Sequence, residues 1–503
     1  MLVFAFVLYF ILVLAIGVFF YIKNIKNNSE GEYFLGGRSM GPWVTALSAQ
    51  ASDMSAWLLM GLPGSVLAFG LGQAWIGIGL ALGTAANWIF VARRLRRFSA
   101  AANDSITLPQ YLSNRFVTGG KTLQVISAVI FLVCFTVYVA SSFVAGRDVF
   151  KSVFPDIGGQ TALLIFAAII ILYTFLGGFK AVCWTDFFQG LLMLAALIAV
   201  PLVLYYAKNL DFSKLQDVYS YYDESKKDYV ECAFSTNLFG AKWQDIVSGL
   251  AWGLGYFGMP HILVRFMSIK KSSMVKKSAT VAIIWVTIAL SAAILIAVLG
   301  RAYIGGELLR NGNQKLVFIE LARKLFPGFI TGLLLAAIIA ASMSTADSQL
   351  LVASSSFTSD IYKPIIRKKA SDNETVWVGR VTIIIVAVIA YFIASAKGSG
   401  AQAIMNLVEN AWGGFGASFG PVVILSLFWK RMTYKGAVAG ITAGALTDVC
   451  WLIWIKEATG VYELLPGFIV GMIACVIVSL IDKQPSDEVK ALFGRATDKS
   501  VDD

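Results

Sequence analysis

Two groups of oxygen-bearing side chains interrupt apolar stretches of this 503-residue chain. The first lies in TALSAQASDMSAWLLMGLPG, where Ser48, Ser52, Asp53 and Ser55 stand close together. The second lies in AAIIAASMSTADSQLL, residues 336–351. Hydroxyl, carboxylate and carbonyl oxygens are hard ligands, which suit a small hard cation better than a metal that prefers thiolates. The sequence therefore directs attention to a cation site formed between these two segments.

Asp53 lies ten residues beyond Trp43 in a stretch that is otherwise free of charge. A carboxylate in the middle of a membrane helix costs about 2.5–3.5 kcal/mol on insertion scales, so it needs a partner, a cavity or an ion. The alternative is that Asp53 caps the end of a half-helix, a position that Asp favours. Both interpretations predict a helix that is broken near Asp53.

The second group carries its hydroxyls at helical spacing. Ser344 and Ser348 are four residues apart, Thr345 is adjacent to Ser344, and Asp347 follows Ser344 by three residues. On a helix these side chains share one flank. Ion binding is one interpretation, and the other is that each hydroxyl bonds back to a carbonyl one turn earlier on its own helix.

Composition sets the environment of these groups. Residues of the AVILMFWYC class make up 58% of the chain and charged residues only 14%, whereas soluble proteins have roughly 45–50% and roughly 25%. Stretches without Asp, Glu, Lys or Arg fill most of the sequence, and the longest covers 39 residues, from 54 to 92. Since a helical crossing needs roughly 20 apolar residues, we predict an all-α polytopic membrane protein with thirteen transmembrane helices.

Lys and Arg predict the orientation, because they are enriched in short cytoplasmic loops. With the N-terminus outside, the predicted inner loops and tail hold 27 of the 41 Lys and Arg residues. The C-terminus is then cytoplasmic, the membrane is the plasma (cytoplasmic) membrane, and the formal charge of +11 reflects topology and not nucleic-acid binding. The charged tail from Asp482 onward is expected to be solvated, and residues 1–22 to be a retained first span.

A second helix break is predicted at Gly253, Gly255 and Gly258. These glycines match a GxGxxG pattern, but they lie within an apolar span with no preceding strand, so a dinucleotide site is excluded. The two breaks fall in the second and seventh predicted spans, which indicates two five-helix repeats of opposite orientation, as in secondary transporters. The predicted division is 1–42 extra span and inner loop, 43–207 first repeat, 208–241 outside loop, 242–429 second repeat, 430–481 two further spans and 482–503 tail.

Five segments resemble the sodium/solute symporter family, in particular its proline-transporting branch: ALSAQASDMSAWLLMGLPG, LYTFLGGFKAVCWTDFFQ, WGLGYFGMPHILVRFM, AASMST and AWGGFGASFGPVV. They occur in the family's order, and the similarity extends from EYFLGGRSMGPW to LLPGFIVG. The resemblance implies sodium-coupled uptake of L-proline by alternating access, with Na+ as the coupling ion.

The resemblance also implies where the ion binds. Its ligands would be the carbonyls of Ala51, Met54 and Ala341 and the hydroxyls of Ser344 and Thr345. Asp53 would support sodium affinity and coupling, and Asp186 would serve an additional sodium site or the ion's exit route. Asp347 lies near Asp186 if the helices pack as in relatives, which allows a second cation site; a polar residue facing the cytoplasm is the alternative.

The proline pocket implied by the resemblance consists of Ser55, Trp57, Tyr138, Trp252, Tyr256 and Pro260. Trp252 and Tyr256 are four residues apart and offer apolar area for a pyrrolidine ring together with a hydroxyl. Simple helix packing or an interfacial aromatic belt is the alternative. Arg265 falls in the predicted inner loop 265–277, and no Lys or Arg is expected at pocket depth. The substrate carboxylate would then be met by half-helix N-termini and hydroxyls.

Other functions remain open at this point. The same fold could import another amino acid, pantothenate or a sugar, and protons could replace sodium. A channel would not concentrate its solute. A haem-bearing membrane enzyme with two histidine ligands is excluded, because His261 is the only histidine, and it is expected to act as a packing or gate residue. No obligatory protein partner is expected.

Overall fold

The computed structural model describes residues 1–24, 29–117, 120–206, 210–223, 228–396 and 401–498. Long apolar runs with few charges form its helices, as a bilayer requires, because a helix satisfies all its backbone hydrogen bonds internally. The helices up to residue 206 are α1 (Leu2–Asn24), α2 (Glu30–Leu35), α3 (Pro42–Met54), α4 (Gly61–Phe69), α5 (Ala74–Ala86), α6 (Arg93–Ala101), α7 (Leu108–Asn114), α8 (Thr122–Val153) and α9 (Gly159–Tyr206).

The remaining helices follow a short hairpin made of β1 (Tyr219–Asp223) and β2 (Asp228–Cys232). They are α10 (Trp243–Ala251), α11 (Pro260–Ser268), α12 (Val275–Ile304), α13 (Val317–Leu325), α14 (Gly328–Phe357), α15 (Asp372–Ala396), α16 (Ala401–Phe428), α17 (Tyr434–Cys450), α18 (Lys456–Thr459), α19 (Leu464–Ile481) and α20 (Asp487–Thr497). The central helix α14 packs against α1, α3, α8 and α9.

The predicted all-α polytopic fold with two interrupted helices is confirmed. Within the described residues, ten helices are long and apolar enough to cross a membrane, or eleven if the bent pair Trp243–Phe257 and Pro260–Ser268 counts as one span. The predicted spans 157–179 and 187–207 form one 48-residue helix, α9, which bends at Gly178 (φ 61°); residue 207 lies outside the described residues. The count of thirteen stays a prediction, since it requires α9 to cross twice and residues 42–69 to count as one crossing.

The loop predicted between 208 and 241 contains the two-stranded hairpin, an element that the search for apolar runs does not detect. Its strands pair antiparallel from Tyr219 opposite Cys232 to Asp223 opposite Asp228. Arg301, at the end of α12, is fully buried and donates hydrogen bonds to the carbonyls of Asp217, Cys232 and Leu67. The guanidinium thus fixes the hairpin to the helix bundle. Residues 208 and 209, at the predicted boundary, lie outside the described part.

The tail was expected to be solvated, and the structure corrects this. Residues 487–497 form α20, whose Val489, Leu492 and Ala496 are buried against α6. The ring of Phe493 lies edge-on to Phe98 at 5.3 Å. Three small or apolar residues at helical spacing form this buried stripe. The overall composition of the tail does not indicate the stripe, because most of the surrounding residues are charged or polar.

Contacts between connecting segments divide the molecule into two ends. At one end Arg38 pairs with Asp104 at 2.6 Å, and Arg96 donates to the carbonyl of Ile269 at 2.7 Å. At the other end Lys315 pairs with Asp148 at 2.5 Å. We name these the arginine end, which also carries α20, and the hairpin end, which carries β1 and β2.

We expect the backbone amides of residues 487–497 to be protected from hydrogen exchange, because α20 is docked on α6. Leu492→Ala should remove about 2–3 kcal/mol of packing free energy and accelerate exchange throughout α20. Glu488→Ala is the matched control, since Glu488 is exposed on the same helix. Exchange of wild-type α20 at the rate of an unstructured peptide would contradict the docking.

Candidate functional site

The first interruption separates α3 from α4. Helix α3 ends at Met54, a 3₁₀ turn covers Ala56–Leu58, and α4 begins at Gly61. Ser55 between them has φ 45°, a left-handed conformation that is costly for a residue other than glycine. Its hydroxyl accepts a hydrogen bond from the Trp57 amide at 3.1 Å. The break therefore has a local stabilising contact, and it occurs two residues after Asp53.

The second interruption separates α10 from α11. A 3₁₀ segment, Trp252–Phe257, joins the two halves, and their axes differ by 42°. A Cβ atom at Gly255 would overlap the indole of Trp412, so the glycine allows a close approach. Asn87 donates its side-chain amide to the freed Tyr256 carbonyl at 3.0 Å. Neighbouring helices thus satisfy the polar groups that the break exposes.

A cavity lies between the two breaks. Of the six residues expected in the pocket, Trp57, Tyr138, Trp252 and Tyr256 line it, together with Asp53 and Met54. Its free volume is about 10 Å³, which is close to the room that one water molecule requires. Rearrangement of the lining side chains is therefore required before a molecule the size of an amino acid can be held.

Stacked rings close one side of this cavity. The Trp57 and Trp252 rings stack at 5.8 Å, and Trp252 stacks on Tyr462 at 5.3 Å. Tyr462 in turn donates its hydroxyl to the Glu409 carbonyl at 2.8 Å. Tyr256 meets Trp412 edge-on at 5.1 Å. The two break regions are thus connected through aromatic contacts.

The polar contacts of the cavity involve Asp53 and the two tyrosines. Tyr256 donates its hydroxyl to a carboxylate oxygen of Asp53 at 2.6 Å, and Tyr138 belongs to the same lining. Among the described residues, no Lys or Arg lines the cavity. Ser55 and Pro260 are buried but do not line the cavity: Ser55 caps the 3₁₀ turn, and Pro260 opens α11.

An oxygen cluster joins α3 to α14. The Ser344 hydroxyl lies 2.8 Å from the Ala51 carbonyl and 3.2 Å from that of Ala341. The adjacent Thr345 hydroxyl is fully buried and has no hydrogen-bond partner within the described residues. The bond from Ser344 to Ala51 crosses between helices, so this hydroxyl does more than bond back to its own helix. All five residues expected to bind sodium thus lie on two packed helices, α3 and α14, and the contacts of Ser344 bring Ala51 and Ala341 together.

Asp186 and Asp347 lie in a second cluster, in which Arg265 is central. The guanidinium of Arg265 pairs with Asp186 at 2.9 Å and donates to Ser48 at 3.0 Å. It also bonds to Ser348, whose hydroxyl lies 3.3 Å from Asp347. One carboxylate oxygen of each Asp has no hydrogen bond within the described residues.

Arg265 corrects an expectation. It was placed in the inner loop 265–277, but it lies within α11 and is 1% exposed. The prediction ends each membrane span at the first charged residue. This rule fails for Arg265, because the buried carboxylate of Asp186 compensates its guanidinium. Arg265 does not line the cavity, so it is not a direct partner for a substrate held there.

Three lining residues were missed, namely Leu80, Val408 and Trp412. Trp412 belongs to the AWGGFG segment, and two adjacent glycines beside a Trp are a signal that could have indicated a close approach. Leu80 and Val408 carry no such signal, because they resemble any other apolar helix residue. His261 packs against the rings of Phe135 and Tyr138, as a packing residue would.

Within the described residues, no group of three or more His, Cys, Asp and Glu could hold a metal ion. All five cysteines are free thiols. The groups that the structure brings together are hydroxyl, carbonyl and carboxylate oxygens beside an aromatic cavity.

Solved structures share this architecture. A Na+-coupled sialic acid symporter, in a substrate-bound outward-open state, superposes with a TM-score of 0.76 at 19% identity, covering 96% of this chain and 98% of the other. Mhp1, a nucleobase-cation-symport-1 family transporter in a closed conformation, gives a TM-score of 0.53 at 14% identity over 92% of this chain and 98% of its own. These similarities establish the fold.

Curated relatives are much closer in sequence. The sodium/proline symporter of Haemophilus influenzae is 43% identical, over 98% of this chain and 96% of the relative. Sodium/proline symporter 2 of Staphylococcus saprophyticus is 44% identical, over 96% and 93%. The sequence profile described as "Sodium:solute symporter family" matches residues 33–444. With both helix breaks and the oxygen cluster inside that range, the chain is a multi-pass membrane transporter and belongs to the sodium:solute symporter family.

Proposed function

We propose that this protein imports L-proline, coupled to the inward movement of Na+, by alternating access. The observation that carries the proposal is the oxygen cluster between α3 and α14, which adjoins an aromatic cavity between two broken helices. Relatives named sodium/proline symporters, similar over nearly the whole chain, support the choice of cargo.

The proposed orientation has the N-terminus outside and the C-terminus in the cytoplasm. The arginine end would face the cytoplasm, because the contacts there join segments that the Lys and Arg bias assigns to the inner side. Arg38, Asp104, Arg96 and Ile269 supply two of these contacts, and α20 packs at the same end. The hairpin end would face outward.

Sodium would bind to the carbonyls of Ala51, Met54 and Ala341 and the hydroxyls of Ser344 and Thr345. The unpartnered buried hydroxyl of Thr345 supports this ligand set, because an isolated buried polar group is unfavourable unless something binds it. The ion would hold α3 against α14 and fix the position of the break at Ser55. Asp53, buried and bonded to Tyr256, would link the ordered break to the cavity.

Proline would occupy the cavity after its aromatic side chains move apart. Trp57 and Trp252 offer apolar faces for the pyrrolidine ring. Because the lining has no cation, the carboxylate would be met by hydroxyls and the positive end of a half-helix dipole. Ser55 and Pro260 would contribute indirectly, through the 3₁₀ turn and the start of α11.

The membrane potential can drive accumulation on its own. One positive charge moving through 100 mV releases about 2.3 kcal/mol, and at about 1.4 kcal/mol per tenfold this supports roughly forty-fold accumulation of a neutral zwitterion. A sodium gradient adds to this driving force. Rocking of one helix bundle around a fixed site is the motion that such repeats use.

Purified protein in liposomes should take up radiolabelled L-proline against its gradient when sodium is supplied outside. Unlabelled proline should compete, whereas other amino acids, pantothenate and sugars should not. Uptake that a proton gradient drives in sodium-free medium, or that another solute abolishes more strongly than proline does, would assign a different ion or cargo.

Ser344→Ala and Thr345→Ala should each weaken apparent sodium affinity about tenfold or more, since a lost ligand to a charged group costs about 1.5–3 kcal/mol. Protein level should change little by comparison. Ser342→Ala is the matched control, because Ser342 is buried on the same helix but bonds only to the Ile338 carbonyl, at 3.1 Å. Uptake with unaltered sodium dependence in both site variants would refute the ligand assignment.

Asp186 and Asp347 form a second candidate ion site. With Arg265 between them, the cluster holds one more formal negative than positive charge, which a cation would neutralise. We expect more than one sodium to move with each proline in the wild type and one in Asp347→Ala, as measured by parallel ²²Na and proline fluxes. A one-to-one ratio in both proteins would eliminate the second coupling ion.

A further inference from the structure

A polar cavity at the hairpin end has no role in the ion and substrate sites described above. It lies between the end of α8, the start of α9 and the segment that leads into α13, and its volume is about 540 Å³. The charged side chains in its lining are Arg147, Lys151, Lys315, Arg323, Asp148 and Glu320. Four positive and two negative groups give this lining an excess of positive charge.

The cavity is structurally connected to the central pocket. Asp148 lies on α8 ten residues beyond the pocket residue Tyr138, or about 15 Å along the helix axis. Its ion pair with Lys315 is nearly buried, with the two side chains 9% and 5% exposed. The backbone of Lys315 rests on Gly64 in α4, where an added Cβ would lie 3.0 Å from the Lys315 Cα. The floor of the cavity thus touches both the pocket helix α8 and the second half of the first broken helix.

The acidic groups of the lining already have cationic partners. Asp148 pairs with Lys315 and lies 3.7 Å from Arg147, and Glu320 lies 3.5 Å from Lys324. Lys151 and Arg323 are exposed at the rim, and the guanidinium of Arg323 is oriented by a hydrogen bond to the Ser152 carbonyl. An arriving anion therefore meets a positively charged rim.

We propose that this cavity is an encounter site for the carboxylate of the substrate, occupied before the substrate reaches the central pocket. The inference rests on the proposed function and orientation, which place the cavity on the outer side. In the part of the chain that the structure describes, the central pocket has no cationic side chain in its lining, whereas this cavity has four. Recognition of the carboxylate and recognition of the pyrrolidine ring would then be separated in space. Because proline carries no net charge, the rim would act through short-range contact with its carboxylate, and hydrogen bonds between charged groups are stronger than those between neutral ones.

The test is a graded change of charge at the rim. In proteoliposomes at fixed sodium, the KM for external L-proline should rise about threefold in Lys151→Gln/Arg323→Gln and about tenfold in Lys151→Glu/Arg323→Glu, the size of effect that one or two exposed ion contacts provide. The maximal rate should stay at its wild-type value. Added choline chloride should raise the wild-type KM and have less effect on the Gln variant, since salt screens exposed charges. Prolinamide keeps the positively charged ring amine but lacks the carboxylate, so it should compete at least as well in the variants as in the wild type.

Lys242→Gln is the matched control, because it removes the same charge from an exposed side chain that does not belong to the described lining of the cavity. An unchanged KM in the charge-reversed protein, or an equal rise in the control, would overturn the encounter site. Liposomes with and without phosphatidylglycerol separate the two sources of an anionic group. A KM difference seen only with the anionic lipid would show that the cavity holds a headgroup, which also contradicts the proposal. Absence of sodium-dependent proline uptake by the wild type would instead refute the proposed function.

Discussion

A helix that stops inside a bilayer leaves backbone groups without partners, and no water is present to hydrate them. The structure meets this requirement at both breaks with side chains from neighbouring helices. Asn87 bonds to the Tyr256 carbonyl, Trp412 donates its indole N–H to the Trp252 carbonyl at 2.9 Å, and Ser344 donates to the Ala51 carbonyl. Each of these bonds also brings a second helix to the site. The same contacts thus provide hydrogen-bond partners for the backbone at the breaks and bring together the helices that form the binding region.

Charge in the interior is arranged in two different ways. Asp53 is paired with a neutral hydroxyl, that of Tyr256, whereas Asp186 is paired with the guanidinium of Arg265. A buried carboxylate without a full countercharge is unfavourable, so a cation nearby lowers the free energy of the state that holds it. The difference between the two environments gives a physical reason why these acids could respond unequally to sodium, even though both lie in the helix core.

Sequence patterns predict the parts of the site that conflict with a membrane helix. Asp53, the glycines at 253–258 and the hydroxyls at 344–345 are conspicuous because polar groups and glycines are unexpected at such depth. Parts that suit their surroundings give no signal of this kind: Leu80 and Val408 line the cavity but resemble any lipid-facing residue. Arg265 and α20 were misplaced for a related reason. A charged residue in the sequence suggests exposure to solvent. In the structure, however, Asp186 compensates the charge of Arg265, and an apolar stripe buries one face of α20.

The stacking of Tyr462 on Trp252 gives the last part of the chain a place in the working of the transporter. Tyr462 precedes α19, beyond the second predicted repeat, yet its ring belongs to the stack that closes the cavity. Its hydroxyl is tied to α16 through the Glu409 carbonyl. Opening of the cavity on this side requires three rings to separate while one of them, Tyr462, stays bonded to α16. A residue that lies outside the two predicted repeats thus supplies part of the aromatic wall that closes the cavity.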